Sequence, residues 1–197
     1  MTKLLIASNN PGKVIEFREL LAGCGWEIVA PTDIGIDLDV EETGVTYAEN
    51  ARIKAQAFCA ASGLASLADD SGLEVDALGG APGVISARYA GEHATDAANN
   101  ALLLENLRGV ENRTARFVCV IALVQDGKLV KSFRGTVEGR VIDEARGDGG
   151  FGYDPLFYCP AFGCTFGEAT IEQKMQVSHR GRALEAMFTY LRSIAST

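Results

Sequence analysis

Histidine is nearly absent: there are 2 in 197 residues, so no His-rich metal centre can be built from this chain. The 5 cysteines, Cys24, Cys59, Cys119, Cys159 and Cys164, include no CxxC pair. An odd number cannot all join in intramolecular disulfides, and they read as reduced core residues rather than as the staples of a secreted fold. No apolar run reaches membrane-spanning length, and the apolar segment behind Met1 is too short for the core of a signal peptide. There is no repeat, linker or low-complexity tract. Basic residues are outnumbered, 18 Lys and Arg against 26 Asp and Glu, giving a formal net charge of −8. Such a field repels a nucleic-acid backbone, which is bound through many Lys and Arg contacts. A small anion is still admissible where a metal ion or a local basic cluster offsets the charge. The expectation is a cytoplasmic protein without nucleic-acid or membrane partners, folded as a single domain over residues 1–197.

What is present is an interleaving of strand and helix signals. Lys3 to Ala7 is an apolar strand, and Val14, Phe17, Leu20 and Leu21 share one helical face before Gly23. A short strand, Glu27 to Ala30, leads into the acidic segment DIGIDLDVEETG. Thr46 and Glu49 then form a capping box for a helix to Ser62, ended by Gly63. The next apolar strand is expected to end at Asp69-Asp70, before a Gly-rich stretch. Thr95 caps a helix through Leu107, and Asp126-Gly127 marks a hairpin between two alternating runs. A short helix near Thr170 to Gln176 and a last helix from Ser178 complete the chain. Separated strands, a hairpin and intervening helices imply an α/β fold with a mixed sheet flanked by helices.

Ser8 to Lys13, SNNPGK, follows the first strand. It is not a Walker A loop, because Ala7 stands where the first Gly is required and Val14 where the Ser or Thr is required. Two readings remain: an anion site at a helix N-terminus, assisted by Lys13, or an ordinary strand-to-helix turn made of Asn, Pro and Gly. GDGGFG satisfies GxGxxG formally, yet no strand enters it and Pro155 interrupts the place of the required helix, so it is not a dinucleotide fingerprint. Asp69-Asp70 at a strand end is a carboxylate pair that a cation would relieve, and hard oxygens suit Mg²⁺ beside phosphates. Glu41 and Glu42 are further candidate ligands, or a solvated surface run. His179-Arg180 opens the last helix, where a cation is unfavourable unless it meets an anion or acceptor; helix-end packing is the competing role.

Taken together in this order, SNNPGK, EETG, LADDSGLEVDALGGAPGVISARYAG, GFGYDP and SHRGRAL resemble the inosine/xanthosine triphosphate pyrophosphatases, the HAM1-like family, over essentially the whole chain. The resemblance implies an elongated mixed sheet with two lobes around a central cleft, a homodimer, and Mg²⁺-dependent hydrolysis of inosine, deoxyinosine and xanthosine triphosphates to monophosphate and pyrophosphate. By the same resemblance Ser8, Asn9, Asn10, Pro11, Gly12 and Lys13 hold the triphosphate, and Lys54 adds a basic contact. Glu41 and Asp70 bind metal, Asp70 also matches the proton acceptor, and Ser71 lies in the substrate site; a carboxylate on Mg²⁺ is a weaker base, so Asp69 is the other candidate for that role. Phe151, Gly152, Tyr153, Asp154, Lys174, His179 and Arg180 recognise the base. Hypoxanthine and xanthine present a 6-keto acceptor that Lys174, His179 or Arg180 can meet, whereas adenine presents a donor there. Two other classes compete: a phosphomonoesterase with Asp70 as nucleophile, and a nucleotide-binding module without turnover.

Overall fold

Apolar residues in short runs, punctuated by capped helix starts and glycine stops, generate alternating strands and helices. A computed structural model describes residues 3–195. In chain order these are β1 (Lys3–Ile6), α1 (Pro11–Leu20), β2 (Glu27–Val29), α2 (Tyr47–Ser62), β3 (Ala65–Val75), α3 (Asp96–Asn106), β4 (Thr114–Gln125), β5 (Lys128–Val141), β6 (Phe157–Cys159), β7 (Cys164–Thr165), α4 (Ile171–Val177) and α5 (His179–Ala195). The strands form one seven-stranded sheet in the order β2-β1-β3-β4-β5-β6-β7. β1 pairs in parallel with β2 and β3, while β6 pairs antiparallel with β5 and β7. The sheet is therefore mixed and the fold α/β, as expected. None of the described helices is long and apolar enough to cross a membrane.

The chain divides into two compact units. The first comprises the described residues through Asp70, Cys119–Gly135 and those from Ala183 on; the second comprises Ser71–Val118 and Thr136–Arg182. In the first, β1 is apolar on both faces. Leu4 and Ile6 join Leu67, Cys119 and Ile121 against Phe17 of α1 and Leu184 and Met187 of α5. Leu5 points the other way and joins Ala68 and Ala122 against Ala51, Ala55 and Phe58 of α2. Fully burying a Leu, Ile or Phe contributes about 1.5–3 kcal/mol each, so these two layers hold β1 and β3 firmly between helices. The second unit packs Leu73, Val75, Phe117, Val137, Phe157 and Phe166 against Leu103 of α3.

Two boundaries differ from expectation. α1 begins at Pro11, with Asn10 as its N-cap, so Pro11, Gly12 and Lys13 form the first helical turn. Proline suits that position because the missing N–H has no partner there anyway. More consequentially, β3 does not end at Asp69-Asp70 but runs on to Val75, because Leu73 and Val75 are buried and continue the apolar pattern beyond the pair. The short strands β6 and β7 were not anticipated; at 3 and 2 residues they are too brief to show a period. The hairpin turn is as expected, with Asp126 at φ 51° and Gly127 at φ 71°, the positive values a two-residue type I′ turn needs.

Candidate active site

In a strand, successive side chains leave opposite faces. Asp69 and Asp70 therefore part company in the first unit. Asp69 points to the face of α1, where its Oδ2 lies 3.1 Å from Lys13 Nζ and accepts the Cys119 thiol at 3.8 Å. Asp70 points to the face of α2, where Oδ2 accepts Asn50 Nδ2 at 3.1 Å and Oδ1 lies 3.9 Å from Lys54 Nζ. Lys54 Nζ donates to Glu42 Oε1 at 2.5 Å. Each carboxylate thus meets a different lysine at closest range, while Lys54 also feels the charge of Asp69 and Asp70 that of Lys13.

Burial pushes the Asp70 carboxyl up to about 6; Glu42 adds to this, and Lys54, Lys13 and the Asn50 hydrogen bond oppose it without prevailing. For Lys54 burial pulls the ammonium down, but Asp69, Asp70 and Glu42 together outweigh it and hold it above the ordinary lysine value. The same ion pair stabilises both charges. Its effect is overridden at Asp70, which has few countercharges, and not at Lys54, which has three.

The SNNPGK turn is built by its own polar groups. Asn10 Oδ1 accepts the Lys13 N–H at 3.1 Å, and Ser8 Oγ accepts the Asn10 N–H at 3.2 Å. Asn9 Nδ2 donates to the Leu38 carbonyl at 2.9 Å, tying the turn to the acidic loop. Pro11 has no N–H and that of Lys13 is taken by Asn10, so the α1 first turn offers an anion the Gly12 N–H and the helix dipole, and Lys13 rises from that turn to Asp69.

In the second unit the loop before β6 is fixed by a carboxylate. Asp154 Oδ2 accepts the Phe151 N–H at 3.1 Å and Lys174 Nζ at 2.7 Å. A Cβ on Gly150 would collide with that same Oδ2, and its φ of 75° also favours glycine. Gly152 is gripped from α3: its N–H donates to Asp96 Oδ2 at 2.6 Å and its carbonyl accepts Asn100 Nδ2 at 3.0 Å. Tyr153 is buried, which pushes its phenol above the ordinary value, and donates to the Ser86 carbonyl at 2.8 Å. The half-buried Phe151 ring has Lys174 Nζ 5.7 Å and the Arg180 guanidinium 5.9 Å from its centroid, within reach of cation–π attraction. Arg180, 1 % exposed, donates from Nη2 to Ser71 Oγ at 3.3 Å. His179 stacks on Phe117 at 4.9 Å.

A model of the Ham1 family matches residues 4–190. The chain belongs to the Ham1 family. A protein of Desulforamulus reducens named dITP/XTP pyrophosphatase is 52% identical over 185 residues, 93% of this chain and 92% of that one. One of Photorhabdus laumondii with the same name is 49% identical over 199 residues, 98% of this chain and all of that one. The solved structure of a HAM1 protein from Coxiella burnetii is 43% identical, covers 98% of this chain and 100% of its own, and superposes with a TM-score of 0.86.

For this Ham1 chain, the first unit brings Lys13, Lys54 and Asp70 together with the SNNPGK turn, and the second brings Ser71, Phe151, Gly152, Tyr153, Asp154, Lys174, His179 and Arg180 into one neighbourhood. In the acidic loop it is Glu42, half-buried, that meets Lys54, while Glu41 is exposed. Asn50, Cys119, Asp96 and Asn100 were missed from sequence. Asn50 and Lys54 carried a signal, being polar residues four apart on the apolar stripe of α2. Cys119 and the α3 pair carried none, since their partners lie 50 or more residues away.

Among the described residues no three His, Cys, Asp or Glu side chains form a ready-made metal group. Mg²⁺ does not need one: it takes one or two carboxylates and completes its octahedron with water and phosphate oxygens. The donor set fits that demand, because two carboxylate oxygens, Asp70 Oδ1 and Glu42 Oε1, meet the same Lys54 ammonium and so lie together as hard donors.

Proposed function

We propose that the chain hydrolyses inosine, deoxyinosine and xanthosine triphosphates to the nucleoside monophosphate and pyrophosphate, with Mg²⁺ as cofactor and residues 1–197 acting as one catalytic domain in a homodimer. The observation that carries the reading is the pair of strand carboxylates facing Lys13 and Lys54 beside a helix N-terminus. That arrangement brings cations, a backbone anion end and a carboxyl of raised proton affinity together in the first unit. The names of the relatives at about half identity supply the substrate class.

Ser8 to Lys13 would grip the phosphates, with Lys13 and Lys54 offsetting the charge that develops as the anhydride bond breaks. Asp70 would hold and polarise the attacking water and accept its proton; a carboxyl pushed up to about 6 is closer to working pH than an ordinary Asp. Asp70 and the exposed Glu41 would hold Mg²⁺, which neutralises phosphate charge when bound. Phe151 would stack on the purine, and Lys174, His179 and Arg180 would meet the 6-keto oxygen, with Ser71, Gly152, Tyr153 and Asp154 shaping the pocket.

The test is deoxyinosine triphosphate with Mg²⁺, its products read by phosphorus NMR. Pyrophosphate and monophosphate are expected. Orthophosphate alone would replace this reading with a phosphomonoesterase, and binding without products would replace it with a nucleotide-binding module.

A further inference from the structure

Asn50 is 0 % exposed, and its single carboxamide is used at both ends. Nδ2 donates to Asp70 Oδ2 at 3.1 Å, and Oδ1 accepts the Gly44 N–H at 2.8 Å. A flipped amide would set oxygen against the Asp70 carboxylate and NH₂ against the Gly44 N–H, so only one orientation satisfies both partners. The backbone at Gly44 comes so close that a Cβ there would lie 2.6 Å from Asn50 Oδ1 and 2.6 Å from Glu49 Cβ. Glycine is therefore required at this point of the acidic loop by contact alone. With Oδ2 held by Asn50, Oδ1 of Asp70 is the oxygen turned toward Lys54.

We infer that Asn50 is a positioning residue: it latches the Glu41–Gly44 loop to Asp70 and fixes the rotation of that carboxylate for its work on water. This rests on the assignment of Asp70 under the proposed function. Outer partners that orient a reacting or ligating group typically cost 10- to 100-fold in activity when removed.

The experiment compares the parent with Asn50→Ala and Gly44→Ala, using deoxyinosine triphosphate and Mg²⁺ at a temperature well below melting. Asn50→Ala is expected to lower kcat about 10- to 100-fold with KM changed less than about threefold. Gly44→Ala, which drives a methyl onto the Asn50 oxygen, is expected to lower kcat in the same direction. Without metal or substrate, urea unfolding of Asn50→Ala, Asp70→Ala and the double variant should be non-additive by about fivefold or more in the unfolding constant, as a shared hydrogen bond requires. A folded Asn50→Ala with kcat within about threefold of the parent, or an additive cycle, overturns the inference. Should Asn50→Ala not fold, Gly44→Ala decides: parental kcat overturns the latch and a lowered kcat supports it. A parent that releases no pyrophosphate defeats the functional reading instead, and the unfolding cycle still reports whether Asn50 and Asp70 are coupled.

Discussion

Asp70→Asn separates chemistry from folding at one atom. In the folded protein burial raises the Asp70 carboxyl to about 6 from an ordinary 3.8, so ionising it costs the fold about 3 kcal/mol, at 1.36 kcal/mol for each pH unit of displacement. The sign follows from proton linkage. The folded state binds more protons than the unfolded one between these values, so this group's favourable contribution is complete below about 3.8 and is lost as pH rises through about 6. Asn removes the titration while keeping the volume and an acceptor for Asn50. Metal-free Asp70→Asn should therefore exceed the parent by up to about 3 kcal/mol at pH 8, with about half of that gap gone by pH 5. Urea unfolding of both proteins in chelator, at a series of pH values, measures the difference directly, and groups shared by both largely cancel. Turnover should fall about 10²- to 10⁴-fold in kcat. A pH-independent gap, or a variant less stable than the parent at pH 8, would refute the electrostatic argument. A variant retaining more than about a tenth of parental kcat would refute the catalytic one.

Lys54→Met should leave Asp70 and Glu42 without their shared cation and destabilise the protein by about 3 kcal/mol near pH 8, less at pH 5 where Asp70 takes up a proton; thermal melts at both pH values check this. Phe151→Ala should raise KM for deoxyinosine triphosphate about 5- to 150-fold through lost stacking, whereas an unchanged KM with a lower Tm would make Phe151 a packing residue only. Arg180→Ala should narrow the ratio of kcat/KM for inosine over adenine nucleotides, and equal losses on both would assign Arg180 to structure. Asp69→Asn should release Lys13 and raise KM more than it lowers kcat, read from initial rates across nucleotide concentration.

The helix starts were legible in the sequence because their signals are local. Thr46 with Glu49, and Thr95, each cap the helix expected of them, and Thr170 caps the short helix expected near it; each bond closes within three residues. The Asp126-Gly127 turn was legible for the same reason. The end of β3 was not. A charged pair interrupts the apolar run, and only the packing of Leu73 and Val75 around Leu103 shows that the strand continues. The grips on Gly152 from Asp96 and Asn100 span 56 and 52 residues and have no local trace. The SNNPGK turn sits between these cases. Its own caps are local, but the ion pair that gives Lys13 a purpose spans from residue 13 to residue 69.

The continuation of β3 changes the meaning of the acidic pair. Had the strand ended at Asp69, two adjacent carboxylates in a loop could have turned toward one cation, and the two would have been interchangeable as candidates for the base. Within a strand the pleat sends them to opposite faces, so the lysine nearest each is a different one. Asp69 meets a lysine from α1 at 3.1 Å and a thiol from β4, an arrangement suited to holding Lys13 in place. Asp70 lies 3.9 Å from Lys54 through Oδ1 and accepts Asn50 Nδ2 through Oδ2. Burial then raises its proton affinity. Position in the pleat thus gives the two halves of one dipeptide different neighbours, Lys13 and Cys119 for Asp69 and Asn50 and Lys54 for Asp70, through backbone geometry that a one-residue shift of the strand would reverse.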